Sequence, residues 1–338
     1  MNAQHKLNLL ALGTALLAIC NIFWGSLDIP AKDVWCILRG YEAAGHPAWS
    51  TIILQGRLPQ MLTALLTGTA LGTCGLLLQT AFRNPLAGPS ILGIDAGANL
   101  GVAIVLLLLG GTTTIGSLTL GGHLLIVVAA MAGALAIMAL LMTLSKLLRS
   151  HVMLLITGVV ISYVTGSIIQ LLNYSATEQG VHSFIIWGMG NFSSVGTERL
   201  PVFCTLSCTG LLLAILLIKP LDALLLGDRY AENLGINIGK ARQILLLVTG
   251  LLTATTTAFC GPISFIGLAV PHLARLMLRT SRHKILIPAT MLIGANLALA
   301  CNLLSTMPHD GSIIPISVIT PLIGAPVVLH IILKQRHD

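Results

Sequence analysis

The chain has 338 residues, of which 55% are hydrophobic and only 9% are charged. Because a soluble domain usually has about 25% charged residues, this composition excludes an ordinary soluble fold, and the scarcity of polar residues excludes a disordered chain. The formal net charge of +7 would suggest nucleic acid in a soluble protein, but here the cations lie in short loops between apolar runs, where membrane topology explains them better. We therefore predict one polytopic membrane domain over residues 1–338, surrounded by lipid and without a nucleic-acid partner.

Ten apolar segments of spanning or near-spanning length follow one another along the chain, since a helix needs about 20 residues to cross a bilayer. The first lacks a small-residue cleavage site, so we expect a retained helix. The eighth is interrupted by Pro271 and is expected to be short or partly interfacial, and the apolar run at residues 183–193 is too short to span. The ten segments lie near residues 7–25, 59–81, 91–109, 121–144, 152–173, 201–219, 241–260, 262–279, 285–306 and 313–334.

The lysines and arginines predict how the spans are oriented. With ten spans both termini share a side, and fourteen cations fall on that side against four on the other. Loops rich in lysine and arginine stay in the cytoplasm. We therefore predict a multi-pass protein of the inner membrane with both termini cytoplasmic.

Small residues recur at helix-facing spacing in the second and third spans. They are Gly68, Gly72, Gly93, Gly97 and Gly101. In lipid, close packing replaces the hydrophobic drive, and small residues let helix backbones touch. We predict that these glycines lie at helix–helix contacts.

A polar hinge at residues 83–89 separates these two spans. Its two prolines forbid a continuous helix, and it lies on the predicted cytoplasmic side, where it is either only a sharp turn or also part of the inner end of a pathway. Asp95, just beyond it, is expected either to face a polar cavity or to cap the third span. The hinge and pathway candidates are Arg83, Asn84, Pro85, Leu86, Ala87, Pro89, Gly93, Asp95 and Gly97.

The longest internal loop on the predicted cytoplasmic side covers residues 219–242. Its charges alternate with leucines, as in a short amphipathic helix. Gly227 would interrupt that helix and Gly235 would end it. From the residues alone, such a helix either docks into a groove on a partner or rests on lipid headgroups.

His272 and Arg275 are three positions apart and share a helix face, and because no carboxylate lies nearby in sequence we expect a structural role rather than proton transfer or anion binding. Arg57, at the outer end of the second span, would serve as an interfacial anchor. Cys204 and Cys208, one helical turn apart, suit either a soft metal or small positions in a membrane helix, and we favour the second.

Several catalytic patterns are absent from the sequence. It contains no Gly-x-x-x-x-Gly-Lys-Ser/Thr, no His-Glu-x-x-His, no Gly-x-Ser-x-Gly and no zinc-type cysteine cluster. We therefore predict that the chain is not an enzyme, with no catalytic residue, no metal site and no bound cofactor. Any ATP and Mg²⁺ would be used by a separate subunit.

Four blocks of sequence, in the expected order, resemble the FecCD-type permeases, the membrane subunits of ABC importers for iron complexes and cobalamin. The first block, Asn-Pro-Leu-Ala-x-Pro-x-x-Leu-Gly-x-x-x-Gly-Ala, occupies residues 84–98, the third, Gly-x-Ile-x-Phe-Ile-Gly-Leu-x-x-Pro-His-x-x-Arg, occupies residues 261–275, and the fourth is the proline-rich run 315–326. The second, Leu-x-x-Leu-x-Leu-Gly-Asp/Glu-x-x-Ala-x-x-Leu-Gly, falls on Leu221, Leu224, Leu226, Gly227, Asp228, Ala231, Leu234 and Gly235.

The chain departs from the family pattern at a few positions. Gly88 replaces the usual acidic residue before the second proline, and Ser317 replaces a glycine in the last block. At the outer end of the second span Arg57 is retained, but Gln60 replaces a second arginine. Docking of a partner at the outer surface is therefore expected to be weaker than usual or rebuilt from other cations.

The resemblance implies an all-α membrane protein, a polytopic bundle of about ten transmembrane helices of the BtuC-like, type II ABC importer class. It implies a pair of permeases with two cytoplasmic ABC ATPase subunits and one periplasmic or lipid-anchored substrate-binding protein. There, the second block would couple to the ATPase and the hinge would shape the pathway. Arg57 would meet the binding protein, while Gly267, Pro271, His272 and Arg275 would act structurally at the cytoplasmic end.

The implied function is ATP-driven import of an iron complex, either a ferric siderophore or haem, with cobalamin as the alternative within the same family. An ion-coupled secondary transporter is a rival from another class. It needs charged residues in span centres, and acids are nearly missing there. An intramembrane enzyme built on His272 and Arg275 would need a nucleophile or metal constellation, which the sequence does not offer.

Overall fold

A computed structural model describes residues 3–41, 46–110, 112–115, 118–148, 151–307 and 313–334. The described chain is almost entirely helical, which confirms the predicted all-α class. Two short strands, β1 (Thr112–Ile115) and β2 (Leu118–Gly121), form an antiparallel pair that the sequence did not predict. The helices are α1 (Ala3–Phe23), α2 (Ala31–Leu38), α3 (Ala48–Thr51), α4 (Leu58–Ala81), α5 (Ile94–Ala103), α6 (His123–Leu147), α7 (His151–Ser175), α8 (Glu178–Gly188), α9 (Leu200–Leu216), α10 (Ile218–Leu226), α11 (Asp228–Asn233), α12 (Ile238–Cys260), α13 (Ile266–Leu278), α14 (His283–Ser305) and α15 (Ile316–Lys334).

Each predicted span coincides with a helix. By length and composition, six helices of the described chain can cross a membrane, or seven if α9 and α10, which meet at 49°, are one bent span. The six are α1, the continuous rod Ala48–Ala81 that contains α3 and α4, and α6, α7, α12 and α14. Three shorter apolar helices, Ile94–Leu108, Ile266–Leu278 and Ile316–Pro326, match the remaining three predicted spans.

The third span is shorter than the sequence predicted, and the eighth is short, as predicted, although its helix continues through Pro271. A 3₁₀ turn at Pro89–Leu92 ends in Gly93, whose φ of +75° is left-handed, so α5 begins only at Ile94. Phe265 has a φ of +68°, so α13 begins only at the next residue. Left-handed backbone interrupts an α-helix, and hydropathy alone does not reveal it.

The described chain packs as two compact units. One comprises Met1–Thr73, Asn191–Cys208 and Ile263–Asp338, and the other comprises Cys74–Gly190 and Thr209–Pro262. This grouping does not decide whether residues 1–338 form a single permease domain, which stays a prediction.

In the first unit, α1 packs along α14 and the contact contains buried amides. Asn21 donates from Nδ2 to the carbonyl oxygen of Leu299 at 3.1 Å, and Asn302 donates to Asn21 Oδ1 at 2.7 Å. Gln60 donates to Asn302 Oδ1 at 2.9 Å. Polar side chains within a membrane bundle hold helices together when they pair in this way.

The predicted role of the glycines is confirmed by the backbone contacts within each unit. A Cβ added to Gly68 would lie 2.1 Å from the carbonyl oxygen of Gly294 in the first unit. In the second unit, a Cβ on Gly97 would lie 2.5 Å from the carbonyl oxygen of Gly133. Both distances are shorter than real Cβ contacts, so only glycine allows these helices to touch. The remaining predicted positions, Gly72, Gly93 and Gly101, also face the backbone of another helix.

Candidate functional site

The hinge begins with a helix end that is closed by main-chain hydrogen bonds. Asn84 N donates to the carbonyl oxygen of Gln79 at 3.2 Å, and Arg83 N donates to that of Thr80 at 3.3 Å. This pair of bonds is the Schellman pattern, which needs a left-handed residue after the helix. Arg83 occupies that position with a φ of +46°.

The residues after Arg83 turn the chain sharply. Asn84 Oδ1 accepts a hydrogen bond from Leu86 N at 2.9 Å, and the Asn84 carbonyl accepts one from Ala87 N at 3.0 Å. Ala87 and Pro89 are buried, whereas Leu86 is exposed. The hinge is thus a compact turn, as expected from Asn84-Pro85.

Two short helices form the predicted cytoplasmic loop, which we call the 218–235 loop. Gly227, with a φ of +117°, separates α10 from α11, so the predicted interruption is confirmed. The predicted stop at Gly235 is also confirmed: its φ is +80°, and the next residue, Ile236, donates to the carbonyl oxygen of Ala231 at 3.0 Å. Both glycines lie in the left-handed half of backbone space, which other residues adopt at a cost.

A single carboxylate joins the hinge, the 218–235 loop and the start of α12. Asp228 Oδ1 lies 2.6 Å from Nη2 of Arg83, and Asp228 Oδ2 lies 2.8 Å from Nη2 of Arg242. Arg83 Nη2 also donates to the carbonyl oxygen of Leu224 at 3.1 Å. The side chains remain partly in contact with solvent, with exposed fractions of 43% for Arg83, 38% for Asp228 and 27% for Arg242.

The sequence predicts Arg83 as a hinge residue and Asp228 as a residue of the second motif block, and it does not single out Arg242. The three residues all fall on the predicted cytoplasmic side. Their opposite charges were the available sign of a bridge. Sequence separations of 145 and 14 residues gave no reason to pair them.

The 218–235 loop has a buried face and an exposed face. Leu221, Leu224 and Ala231 are buried, and so they hold the loop against the rest of its unit. Leu226 and Leu234 are exposed, together with Tyr230, which sequence analysis did not single out. The apolar side chains of this second group are therefore available to meet another molecule.

Asp95 lies in the first turn of α5, where a carboxylate is favoured by the helix dipole. It is partly buried, and its Oδ1 accepts a hydrogen bond from Thr257 Oγ1 of α12 at 2.7 Å. The capping residue of α5 is Gly93, not Asp95. The carboxylate therefore links two helices of the second unit instead of capping its own.

Arg57 is buried, with 7% of its surface exposed. Its Nη1 donates to the carbonyl oxygens of Ile22 at 3.1 Å and Phe23 at 3.0 Å, and its Nη2 donates to that of Leu27. Gly25 leaves the space, because a Cβ there would lie 2.7 Å from Arg57 Nε. The guanidinium thus binds carbonyl oxygens at the carboxyl end of α1. Contact between Arg57 and a binding protein stays a prediction, and the burial of the side chain does not favour it.

Metal-ligand residues are scattered through the described part of the chain. Within it, no group of three or more His, Cys, Asp or Glu side chains could hold a metal ion. Cys208 is exposed and Cys204 partly so.

The model of the FecCD transport family matches residues 13–334. The chain belongs to the FecCD transport family. It is therefore the membrane permease of an ABC importer, and a permease subunit is not itself catalytic.

Curated relatives and a solved structure cover nearly the whole of this FecCD permease. The hemin transport system permease HmuU of Yersinia pestis is 33% identical over 324 residues, which are 96% of this chain and 93% of that protein. The vitamin B12 import permease BtuC of Klebsiella pneumoniae is 32% identical and covers 98% of this chain and 93% of its own length. A solved structure of a metal-chelate type ABC transporter, in an inward-facing conformation, is 29% identical with a TM-score of 0.84, and covers 98% of this chain and 99% of its own.

Other relatives carry names that refer to different cargoes. FecD of Escherichia coli, a permease of a Fe(3+) dicitrate transport system, is 32% identical and covers 97% of this chain and 98% of its own length. MolB of Haemophilus influenzae, a permease of a molybdate import system, is 33% identical and covers 98% of this chain and 95% of its own length.

In this FecCD permease the third and fourth motif blocks meet within the first unit. A Cβ on Gly324 would lie 2.9 Å from Cβ of Phe265, the left-handed residue that precedes α13. Gly267, Pro271 and His272 are buried in α13, and Arg275 is partly buried one turn after His272. Their structural role stays a prediction, with burial in its favour.

The segment Trp187-Gly188-Met189-Gly190 of the FecCD permease, at the end of α8, has a contact that the sequence does not predict. Gly261 has a φ of +77°, and a Cβ there would lie 2.6 Å from the carbonyl oxygen of Trp187 at the end of α8. The start of the third motif block therefore packs on this segment within the second unit.

Proposed function

We propose that this permease imports an iron complex, either a ferric siderophore or haem, across the inner membrane. The support is that HmuU is named for hemin transport and that the solved structure is of metal-chelate type, with both aligned over nearly the whole chain. We assign recognition of the complex to a separate substrate-binding protein, because the described residues offer no ligand cluster for iron. The permease then supplies a pathway without covalent chemistry.

The energy would come from ATP and Mg²⁺ bound by a separate ABC ATPase that docks on the 218–235 loop. The observation that carries this proposal is the outward apolar face of the loop, where Leu226, Tyr230 and Leu234 are each more than half exposed. A helix that rests on anionic lipid is usually rich in Lys and Arg. Instead, α11 contains two acids and one arginine, which favours a groove on a protein.

The proposed assembly contains two copies of the permease, two ATPase subunits and one periplasmic or lipid-anchored binding protein. A closed two-fold pair is the commonest oligomer. We place both termini in the cytoplasm and the protein in the inner membrane, surrounded by lipid. Support comes from the ion bridge, because it joins Arg83 of the hinge to Asp228 of the 218–235 loop, two regions that the cation bias assigns to the cytoplasmic side.

Cobalamin is the second candidate cargo. BtuC, named for vitamin B12 import, aligns over 98% of this chain at an identity close to that of HmuU. The two cargoes share the need for a wide pathway and differ in the binding protein that delivers them. Identity at this level does not separate them.

Co-purification from native membranes tests the docking surface. We expect a P-loop ATPase to accompany the wild-type chain and to be lost when Tyr230 and Leu234 are both changed to Ser, because their exposed side chains would fill its groove. Changing Asn233, an exposed polar neighbour on α11, to Ser is the matched control and should retain the ATPase. If the ATPase stays bound to the Tyr230→Ser/Leu234→Ser variant, this docking surface is wrong.

Uptake into proteoliposomes tests the cargo and the source of energy. The purified complex is supplied with ATP and with hemin, ferric dicitrate, cyanocobalamin or molybdate, each with the binding protein that co-purifies. We expect ATP-dependent uptake of hemin or of the ferric chelate. Uptake of cyanocobalamin alone would identify the second candidate, and uptake driven by an ion gradient without ATP would favour a secondary transporter.

A further inference from the structure

The bridge at Asp228 joins three segments that are distant in sequence. Its two carboxylate oxygens bind different arginines, Arg83 after α4 and Arg242 near the start of α12. Asp228 itself is the first residue of α11. One side chain therefore ties the 218–235 loop to the ends of two long helices of the same unit.

The backbone conformation at Arg83 does not require arginine, so the contacts of the side chain explain why arginine occupies this position. With a φ of +46°, the position is one where glycine would be less strained. Arginine is nevertheless present, and its guanidinium reaches both Asp228 and the carbonyl oxygen of Leu224 at the end of α10. These charge-assisted bonds offset the cost of the left-handed backbone.

Farther from the bridge, α4 and α12 are in direct contact, since Cys74 Sγ lies 3.6 Å from the carbonyl oxygen of Thr249 and 3.7 Å from Oγ1 of Thr253. Nearer the bridge, a small cavity of about 30 Å³ remains between the end of α4 and the start of α12, with Leu78, Phe82, Arg242 and Leu245 in its lining. The ion bridge joins the two helix ends beside this cavity.

We propose that Asp228 is a positioning residue that links the 218–235 loop to α4 and α12, so that displacement of the loop by the ATPase moves both helix ends. This inference rests on the proposed docking of an ATPase on the loop. The inference assigns two different roles to residues of the second motif block. Exposed apolar residues bind the partner, while the Asp228 carboxylate, with both oxygens bound to arginines of the permease, carries the movement inward.

Hydrogen exchange on the intact complex tests the inference. The permease, with the ATPase that co-purifies, is compared without nucleotide and with ATP plus vanadate. In the wild type we expect nucleotide to change exchange in three places together, at residues 218–235, 78–88 and 238–246. In Asp228→Asn we expect the change at the loop to remain, and the change at both helix ends to fall about fivefold or more, the lower range of coupling between sites.

Three further variants separate positioning from a general loss of structure. Asp228→Glu keeps the charge and should restore most of the response at the helix ends. Glu232→Gln removes an exposed acid from the same helix and should behave as the wild type. Arg83→Gln should weaken the response at residues 78–88, and adding it to Asp228→Asn should cause no further loss there, because residues that act through one contact are not additive.

Two results would overturn the inference. One is a full response of both helix ends in Asp228→Asn while the ATPase remains bound. The other is loss of the ATPase from Asp228→Asn, which would make Asp228 a docking residue. Failure of the wild-type chain to bind any P-loop ATPase would instead reject the proposed function.

Discussion

The contact between α5 and α6 and the 218–235 loop belong to one unit but are held by opposite means. At the first, Gly97 and Gly133 bring two backbones together, with no room for a single added carbon. At the second, Asp228 and two arginines whose side chains are partly exposed bridge three segments of the chain. The glycine contact lies within two apolar helices, whereas the ion bridge lies at helix ends, after α4 and at the starts of α11 and α12.

We infer that the glycine contact stabilises the fold, whereas the ion bridge allows the loop to move in response to a partner. Backbone contact in lipid is rigid, because a small change of distance removes many dispersion contacts at once. An ion bridge in contact with water tolerates changes of distance, since its energy varies slowly with separation and is modest. We therefore expect substitutions in the glycine contact to affect folding most, and those in the loop to affect transport.

The largest effect is expected from Gly97→Ala. The new Cβ would lie 2.5 Å from the carbonyl oxygen of Gly133, so we expect a loss of about 3 kcal/mol in unfolding free energy, as for overpacked cores. Gly166→Ala is the matched control, because that helical glycine has nothing within 4 Å of an added Cβ. It should raise stability by about 0.5 kcal/mol. Unfolding of both variants in detergent measures the comparison, and equal stability would refute the steric argument.

The next effect concerns Arg57. Changing it to Met keeps a long apolar stem but leaves three carbonyl oxygens of residues 22–27 without their donor, so we expect a loss of about 2 kcal/mol. Arg39→Met is the control, since Arg39 is exposed and stacks on Trp35 at 4.9 Å. A stable Arg57→Met chain that fails only in stimulation by its binding protein would instead support the docking role.

A smaller effect is expected where Thr257 donates to Asp95. Thr257→Val removes a hydrogen bond to a carboxylate between two helices, with an expected loss of about 1 kcal/mol. The neighbouring Thr256 bonds only to carbonyls of its own helix, those of Leu252 and Thr253. Thr256→Val should therefore be nearly neutral. Thermal unfolding of the two variants gives the difference, and indistinguishable curves would mean that the link to Asp95 contributes nothing.

The smallest effect on stability is expected from Asp228→Asn. Because its partners are about a quarter to two-fifths exposed, the loss should be no more than about 1 kcal/mol and should shrink in high salt. Measuring unfolding at low and high ionic strength checks this. If Asp228→Asn lost as much unfolding free energy as Gly97→Ala, the ion bridge would be as important for stability as the glycine contact, and the difference between the two regions would be refuted.

Much of this molecule could be predicted from the order of its residues. The apolar segments placed every span, because a bilayer demands long apolar helices. Gly227 and Gly235 marked the breaks of the 218–235 loop, because few other residues adopt left-handed backbone at low cost. The motif blocks led to the family that the comparisons confirmed.

Other features depended on contacts that no local pattern contains. Arg57 looked like an outer-surface cation, yet the fold turns it inward to the end of α1. Gln60, at the position of a missing arginine, joins an amide chain through Asn302 and Asn21. A long polar side chain can reach several hydrogen-bond partners, and the one it binds depends on which backbone atoms the fold leaves unsatisfied nearby.

By itself, then, the sequence determined the class, the place of the ten apolar helical segments and the family, since hydropathy and backbone preference act over short stretches of chain. Only the tertiary structure decided that Asp228 meets Arg83 and Arg242, that three of the eight residues of the second motif block are buried, and that Asp95 bonds to α12. These pairings join residues 14 to 162 positions apart. Charge and hydrogen bonding act through space, so they become specific only once the helices have packed.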